Sequence, residues 1–110
     1  MTNRDLSIEF IQAFCDGDVQ AIAPLPADEF EFEGPFYRFS SREAYIQALR
    51  EDPPEPASFE VVKVFENGAD VCVFYRFTKS TRSALMAQWN RFENGKIAAV
   101  TLVFDGRAFT

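Results

Sequence analysis

The chain has 110 residues, 47% of them hydrophobic, and a formal net charge of −6 from 11 Lys and Arg against 17 Asp and Glu. That length fits one domain around one core, and that charge offers no basic stripe for phosphates, which excludes nucleic acid and disfavours an anionic membrane as partner. Histidine is absent, so His-type zinc sites and Ser–His or Cys–His nucleophiles are ruled out, and neither metal nor cofactor is expected.

Thr2 to Asp16 predicts a first helix. Leu6, Phe10, Ala13 and Phe14 recur at helical spacing, Thr2 with Asp5 forms a capping-box pair, and Gly17 stops the helix. Asp18 then caps a short helix through Val19, Ala21 and Ile22, which Pro24 and Pro26 end. Glu29-Phe30-Glu31-Phe32-Glu33 alternates strictly, predicting a strand with Phe30 and Phe32 inward and three carboxylates in water. Gly34-Pro35 turns the chain, and Phe36 to Phe39 predicts a brief extended piece. Ser40-Ser41-Arg42-Glu43 reads as a second capping box, opening a helix with Tyr45, Ile46 and Leu49 on its apolar face. Asp52-Pro53-Pro54-Glu55-Pro56 is a stiff linker that cannot continue that helix.

The remainder predicts sheet. Phe59–Glu66 and Ala69–Lys79 flank Asn67-Gly68, and Ser83–Glu93 and Lys96–Asp105 flank Asn94-Gly95. Asn-Gly between alternating apolar runs signals a hairpin, because a type I′ turn needs positive φ at both positions. Helices first and a meander after them give an α+β fold with a strongly curved antiparallel sheet, residues 1–110 forming a single domain. No stretch is long and apolar enough to span a bilayer and MTNRDLSIEF has no signal core, so the expected compartment is the cytoplasm. Cys15 and Cys72 lie far apart without CxxC spacing and read as two small buried thiols.

A two-residue turn at Asn94-Gly95 pairs Glu93 with Lys96 and Phe92 with Ile97. One face then carries Met86, Gln88, Asn90 and Phe92 beside Ile97, Ala99, Thr101, Val103 and Asp105. The other carries Leu85, Ala87, Trp89 and Arg91 beside Ala98, Val100, Leu102 and Phe104, and is almost wholly apolar. A monomer rarely exposes so much contiguous apolar surface. The expectation is that the Gln88 face lies under the helices around a cavity and the Trp89 face meets a second subunit. The alternative is that the helices cover Trp89 and the polar residues meet water. In the earlier hairpin, Val62, Val64, Val71, Val73, Tyr75 and Phe77 continue the cavity side, giving it one tyrosine hydroxyl.

Taken in order, FIQAFCDGDVQAI, ADEFEFEGPF, SSREAYIQAL and WNRFENGKIAAVTLVFD resemble the NTF2-like superfamily, in particular its SnoaL-like (polyketide cyclase-like and ketosteroid isomerase-like) branch. The resemblance implies a cystatin-like cone: a bent sheet wrapped around N-terminal helices, with an internal pocket at the open end and homodimers through the sheet. Where ketosteroid isomerases carry a first-helix tyrosine, this chain has Phe10. Where they place a base before a proline, it has Gly34 before Pro35, and their second oxyanion donor maps onto Gln88. Steroid isomerisation is therefore not expected. SnoaL-like cyclases carry an acid/base aspartate near the end of the last strand, which matches Asp105. Their paired polar residues match Gln88 and Asn90, with a histidine where Asn90 stands. An amide orients a carbonyl or water but carries no proton near neutral pH. The Asp–Arg–Asp set of the epoxide-hydrolase branch has no counterpart.

The candidate catalytic residue is thus Asp105, and the candidate pocket residues are Gln88, Asn90, Thr101, Tyr75, Tyr37 and Phe10. The candidate dimer contacts are Leu85, Trp89, Arg91, Val100, Leu102 and Phe104. Plainer readings stand beside these. Asp105 could be a solvated strand-end carboxylate, Gln88 and Asn90 a polar pair bridging strands, the tyrosines partners of backbone carbonyls, and the Glu29-Glu31-Glu33 row an ordinary wet face. Three functions compete: acid/base chemistry on a small apolar carbonyl or polyketide-like compound, non-catalytic binding of an apolar small molecule, and dimeric association around a vestigial pocket. A raised Asp105 pKa favours the first, and an occluded pocket the third.

Overall fold

In the computed structural model, which describes residues 1–110, α1 spans Asn3–Cys15. Thr2 Oγ1 accepts from the Asp5 N–H at 3.0 Å and Asp5 Oδ2 from the Thr2 N–H at 3.2 Å, the capping box expected from the sequence. Gly17 leaves the helix at φ +67°, and a β-carbon there would sit 2.8 Å from the Pro54 carbonyl oxygen. Only glycine fits both demands, so the proline linker can lie against the end of α1. The short α2, Val19–Ile22, is capped by Asp18. In α3, Arg42–Glu51, the cap is Ser41 rather than Ser40, accepting from the Ala44 N–H. The Arg42 guanidinium ties α3 to the end of α2 through the Ala23 carbonyl, at 2.9 and 2.6 Å. No helix is long and apolar enough to cross a membrane.

Six strands form one sheet: β1 Pro26–Glu33, β2 Arg38–Phe39, β3 Ser58–Asn67, β4 Asp70–Lys79, β5 Arg82–Glu93 and β6 Lys96–Val103. Their order is β2-β1-β6-β5-β4-β3. The expected antiparallel sheet is in fact mixed, because β6 runs parallel to β1. The meander closes against β1 instead of ending at an edge, and the Ile97 N–H donates to the Leu25 carbonyl at 3.0 Å. Register shifts interrupt β1, β3 and the β5–β6 pair. Bulges bend a strand and increase its twist, and here they curl the sheet around the helices. A 3-10 turn, Gly106–Phe109, comes after the last strand.

Those bulges also correct the expected facing. The Asn94-Gly95 turn has positive φ at both positions and pairs Glu93 with Lys96 as anticipated. Ala98 is then an unpaired extra residue between Phe92↔Ile97 and Arg91↔Ala99. Past it, alternation on β6 slips by one. Val100 faces Asn90 and Leu102 faces Gln88, so both turn inward, and Thr101 lies beside Trp89 on the outer face. Val100 is buried, Leu102 and Phe104 pack against the core, and Val103 is exposed. In the other hairpin the loop is Gly68-Ala69, with positive φ only at Gly68, the pattern of a type II′ turn. Val62, expected inside, is the bulged residue and is exposed. The choice of inner face on β5 stands: Met86, Gln88, Asn90 and Phe92 are buried, while Leu85, Trp89 and Arg91 are exposed.

Candidate functional site

The space between α1, α3 and the concave sheet is filled mainly by aromatic and branched side chains. Phe10 contacts Phe30 and Tyr45, and Tyr45 in turn touches Phe32 and Phe39. Within this apolar mass runs one polar thread. The Tyr75 hydroxyl donates to Gln88 Oε1 at 2.9 Å, and Gln88 Nε2 donates to Asn90 Oδ1 at 3.2 Å. Alternation on β5 places Gln88 and Asn90 on the same side, and β4 brings Tyr75 diagonally across from Gln88. The thread ends unpaired: Asn90 is fully buried and its Nδ2 has no partner. A buried donor left without a partner costs about 1–3 kcal/mol, so such groups are rare unless used.

Gln88 and Asn90 are joined by only one other polar residue in the buried set, Ser7 on α1, and no charged residue is buried at all. Ser7 Oγ also lacks a partner. It occupies the apolar stripe of α1 together with Phe10 and Ile11, and a hydroxyl on such a stripe was the sequence signal that could have marked it. Glu9, half-buried, has one enclosed and unpaired carboxylate oxygen. Burial pushes the Tyr75 and Tyr45 hydroxyls well above the usual phenol range, with Cys15 and Tyr45 adding to the effect at Tyr75. The buried Cys15 thiol is pushed up to about 11, by desolvation first and then by Asp16.

The other expected pocket residues lie elsewhere. Tyr37 is exposed and stacks on Phe39 beyond the sheet edge. Thr101 is on the outer face. Asp105 is not on the inner face at all: it lies past the last strand, exposed, and caps the 3-10 turn by accepting from the Arg107 N–H at 3.0 Å. The Arg107 guanidinium clasps the same carboxylate, with Nη2 to Oδ2 at 2.6 Å. Those side-chain and backbone hydrogen bonds hold its pKa down to about 2. A group so firmly ionised is a poor proton shuttle near neutral pH.

On the outer face, a broad depression of about 360 Å³ is lined by Phe65, Glu66, Asn67, Asp70, Cys72 and Trp89. A second, of about 260 Å³, lies by Ser58, Phe59, Glu60, Arg76 and Thr78. Neither reaches the polar thread.

The cone of helices inside a bulged, mixed sheet defines the NTF2-like class. The model of the SnoaL-like domain family matches residues 8–100, and the chain belongs to that family. Among solved structures it is similar to an NTF2-like protein of unknown function from Cytophaga hutchinsonii, 28% identical over 97% of this chain and 93% of the other, with a TM-score of 0.82. A putative ketosteroid isomerase from Kribbella flavida is 17% identical, covering 94% of this chain and 77% of the other, with a TM-score of 0.79. A LEH-like epoxide hydrolase from M. tuberculosis is 14% identical, covering 94% and 83%, with a TM-score of 0.83. The last two share the fold and are too distant to lend their chemistry. No curated protein matches the sequence significantly.

Proposed function

We propose that this chain is a non-catalytic SnoaL-like binding domain whose interior recognises a neutral, largely apolar small molecule bearing one hydrogen-bond acceptor. The observation that carries the reading is the buried thread from Tyr75 through Gln88 to Asn90, which points its donors one way and ends on the free Asn90 amide. A carbonyl or ether oxygen would complete it. A carboxylate ligand would have no buried counter-charge, since no cation is buried and the one enclosed charged oxygen, Glu9 Oε2, is an anion's. Acid/base turnover is the weaker alternative, because the thread consists of two amides and a phenol that stays protonated; association around a vestigial pocket, which the closed interior favours, leaves the unpaired Asn90 amide without a purpose. Ligand-observed NMR with a set of apolar ketones and the matching carboxylates tests this: ketone binding that Asn90→Leu abolishes supports it. Preferential binding of the carboxylates, or turnover of any ketone, would sink it.

We further propose that the domain works as a homodimer through the outer sheet face. Leu85, Trp89, Phe65 and Val103 are all exposed there, together with the half-buried Thr101. The charges beside them are of both signs, Lys63, Arg76 and Arg91 with Glu60, Asp70 and Glu93, and Glu31 and Glu33 flank Ala99 and Thr101 at the β1 side. A second copy of the same face would bring charges of both signs opposite one another, as a twofold contact does. Val100, Leu102 and Phe104, which turn toward the core, have no part in this contact.

A further inference from the structure

The Gly106–Phe109 turn lies across one end of the interior. Phe109 packs edge-on against Phe77 at 5.8 Å and against Phe104 at 5.7 Å. Phe77 sits on the inner face two residues beyond Tyr75 and also meets Phe14 of α1 at 6.5 Å. Phe104 continues the aromatic contact to Phe36 at 5.5 Å. Helix, sheet and the β1–β2 loop are thus joined by rings that converge on Phe109, and Tyr75, Gln88 and Asn90 are sealed to 4% exposure or less.

Apart from these ring contacts and Phe36 packed against Gly106, few bonds hold the turn. Its one backbone hydrogen bond outside regular ladders is internal, from the Ala108 N–H to the Asp105 carbonyl at 3.1 Å, and none runs to the sheet. Asp105 clasps Arg107 within the same segment, so that pair adds no tie to the sheet. The polar bonds to the rest of the fold come from one exposed side chain: Arg82 Nη1 donates to the carbonyl of Ala108 at 3.3 Å and of Thr110 at 2.7 Å. Surface bonds of this kind break locally at far lower cost than the ladder beneath them.

We infer that Gly106–Phe109 is a lid hinged at Asp105 and latched by Arg82, and that passage into the interior requires it to lift Phe109 off Phe77. This deepens the interior-binding reading, but access can be measured with no ligand present, so the two fail separately. Cys15 provides the probe. It is 1% exposed, follows Phe14, the α1 ring that meets Phe77 beneath Phe109, and becomes the sole thiol once Cys72 is replaced by Ser. The rate at which a neutral aromatic disulfide reagent labels Cys15 then reports opening. Arg82→Ala and Phe109→Ala should each raise that rate about tenfold or more in the Cys72→Ser background. Ser41→Ala, which removes the cap of α3 and no bond to the turn, is the control for general destabilisation. If the latch and lid variants label no faster than a control with the same melting temperature, the turn is a fixed part of the wall and the inference fails. Arg82→Ala alters only a surface side chain, so it remains informative even if Phe109→Ala does not fold.

Discussion

Trp89 Nε1 donates to Asp70 Oδ1 at 2.9 Å on the outer face of the β4–β5 pair. That bond anchors the indole next to Cys72, its neighbour across the pair, and leaves it about half exposed on the sheet. A large, rigid, amphipathic side chain held in one position is well suited to anchor an interface. If the outer face is the dimer contact, light scattering at micromolar concentration should give twice the 12.5 kDa chain mass. Trp89→Asp should shift the protein to monomer or aggregate. A clean monomer for the unaltered chain at high concentration would rule the contact out.

The interior thread should trade stability for recognition. Replacing all three members with apolar residues of similar shape, Tyr75→Phe with Gln88→Met and Asn90→Leu, removes the unpaired Asn90 donor without orphaning a partner. The triple variant should be as stable as the parent or more so, by about 1–3 kcal/mol in urea unfolding, while losing ketone binding. Gln88→Met alone should be destabilising, because it strands the Tyr75 hydroxyl and the Asn90 carbonyl. A triple variant that binds as well as the parent would remove the thread from recognition.

Stability should fall in alkali, and the sign comes from the interior. Tyr75, Tyr45 and Cys15 all have folded pKa values raised by burial. Their stabilising contribution is complete below the unfolded values, 10.0 for the phenols and 9.0 for the thiol, and is lost as pH rises through the folded ones. Above that onset the unfolded chain releases protons the native one keeps, at up to about 1.4 kcal/mol per pH unit for each group. Denaturant titrations at successive pH values should show that decline, and Tyr75→Phe should make it shallower. An unchanged slope in that variant would mean Tyr75 ionises as freely as in water.

Asp105→Asn should leave the preference for ketones over carboxylates unchanged, since the carboxylate lies outside the interior. It should loosen the clasp on Arg107, read as faster amide exchange at Arg107 and Ala108. Loss of binding with undisturbed exchange would return Asp105 to the site.

Much of the architecture was legible from single residues. Thr2, Asp18 and Gly17 set the helix ends by local hydrogen bonding and backbone freedom, which sequence reports directly. Period-two alternation and one Asn-Gly turn put Gln88 and Trp89 on opposite faces, and the inward choice of Gln88 rested on the Trp89 face being apolar enough to need a partner, a face that in fact loses Val100 and Leu102 to the core. What escaped was non-local. The parallel partnership of β1 with β6 depends on where the meander closes, and nothing within ADEFEFEGPF encodes it. The bulge at Ala98 has no special residue to announce it: alanine pairs or bulges equally well, and Thr101, Val100 and Leu102 changed faces as a result. Asp105 was misplaced for the same reason, compounded by Arg107, whose pull on the carboxylate is a tertiary matter once the strand ends at Val103.

The extra residue at Ala98 also makes chain length a control on shape. Deleting it would let Arg91 and Ala99 pair directly after Phe92 and Ile97, with every later side chain still facing as it does now. Such a shortened protein would keep its inside and outside but lose a bend, and the cone would open toward a flatter plate. The same single-residue deletion placed between Val100 and Val103 would instead turn the remaining side chains of the strand to the opposite face. Along this strand, then, curvature and sidedness are edited independently, a few residues apart.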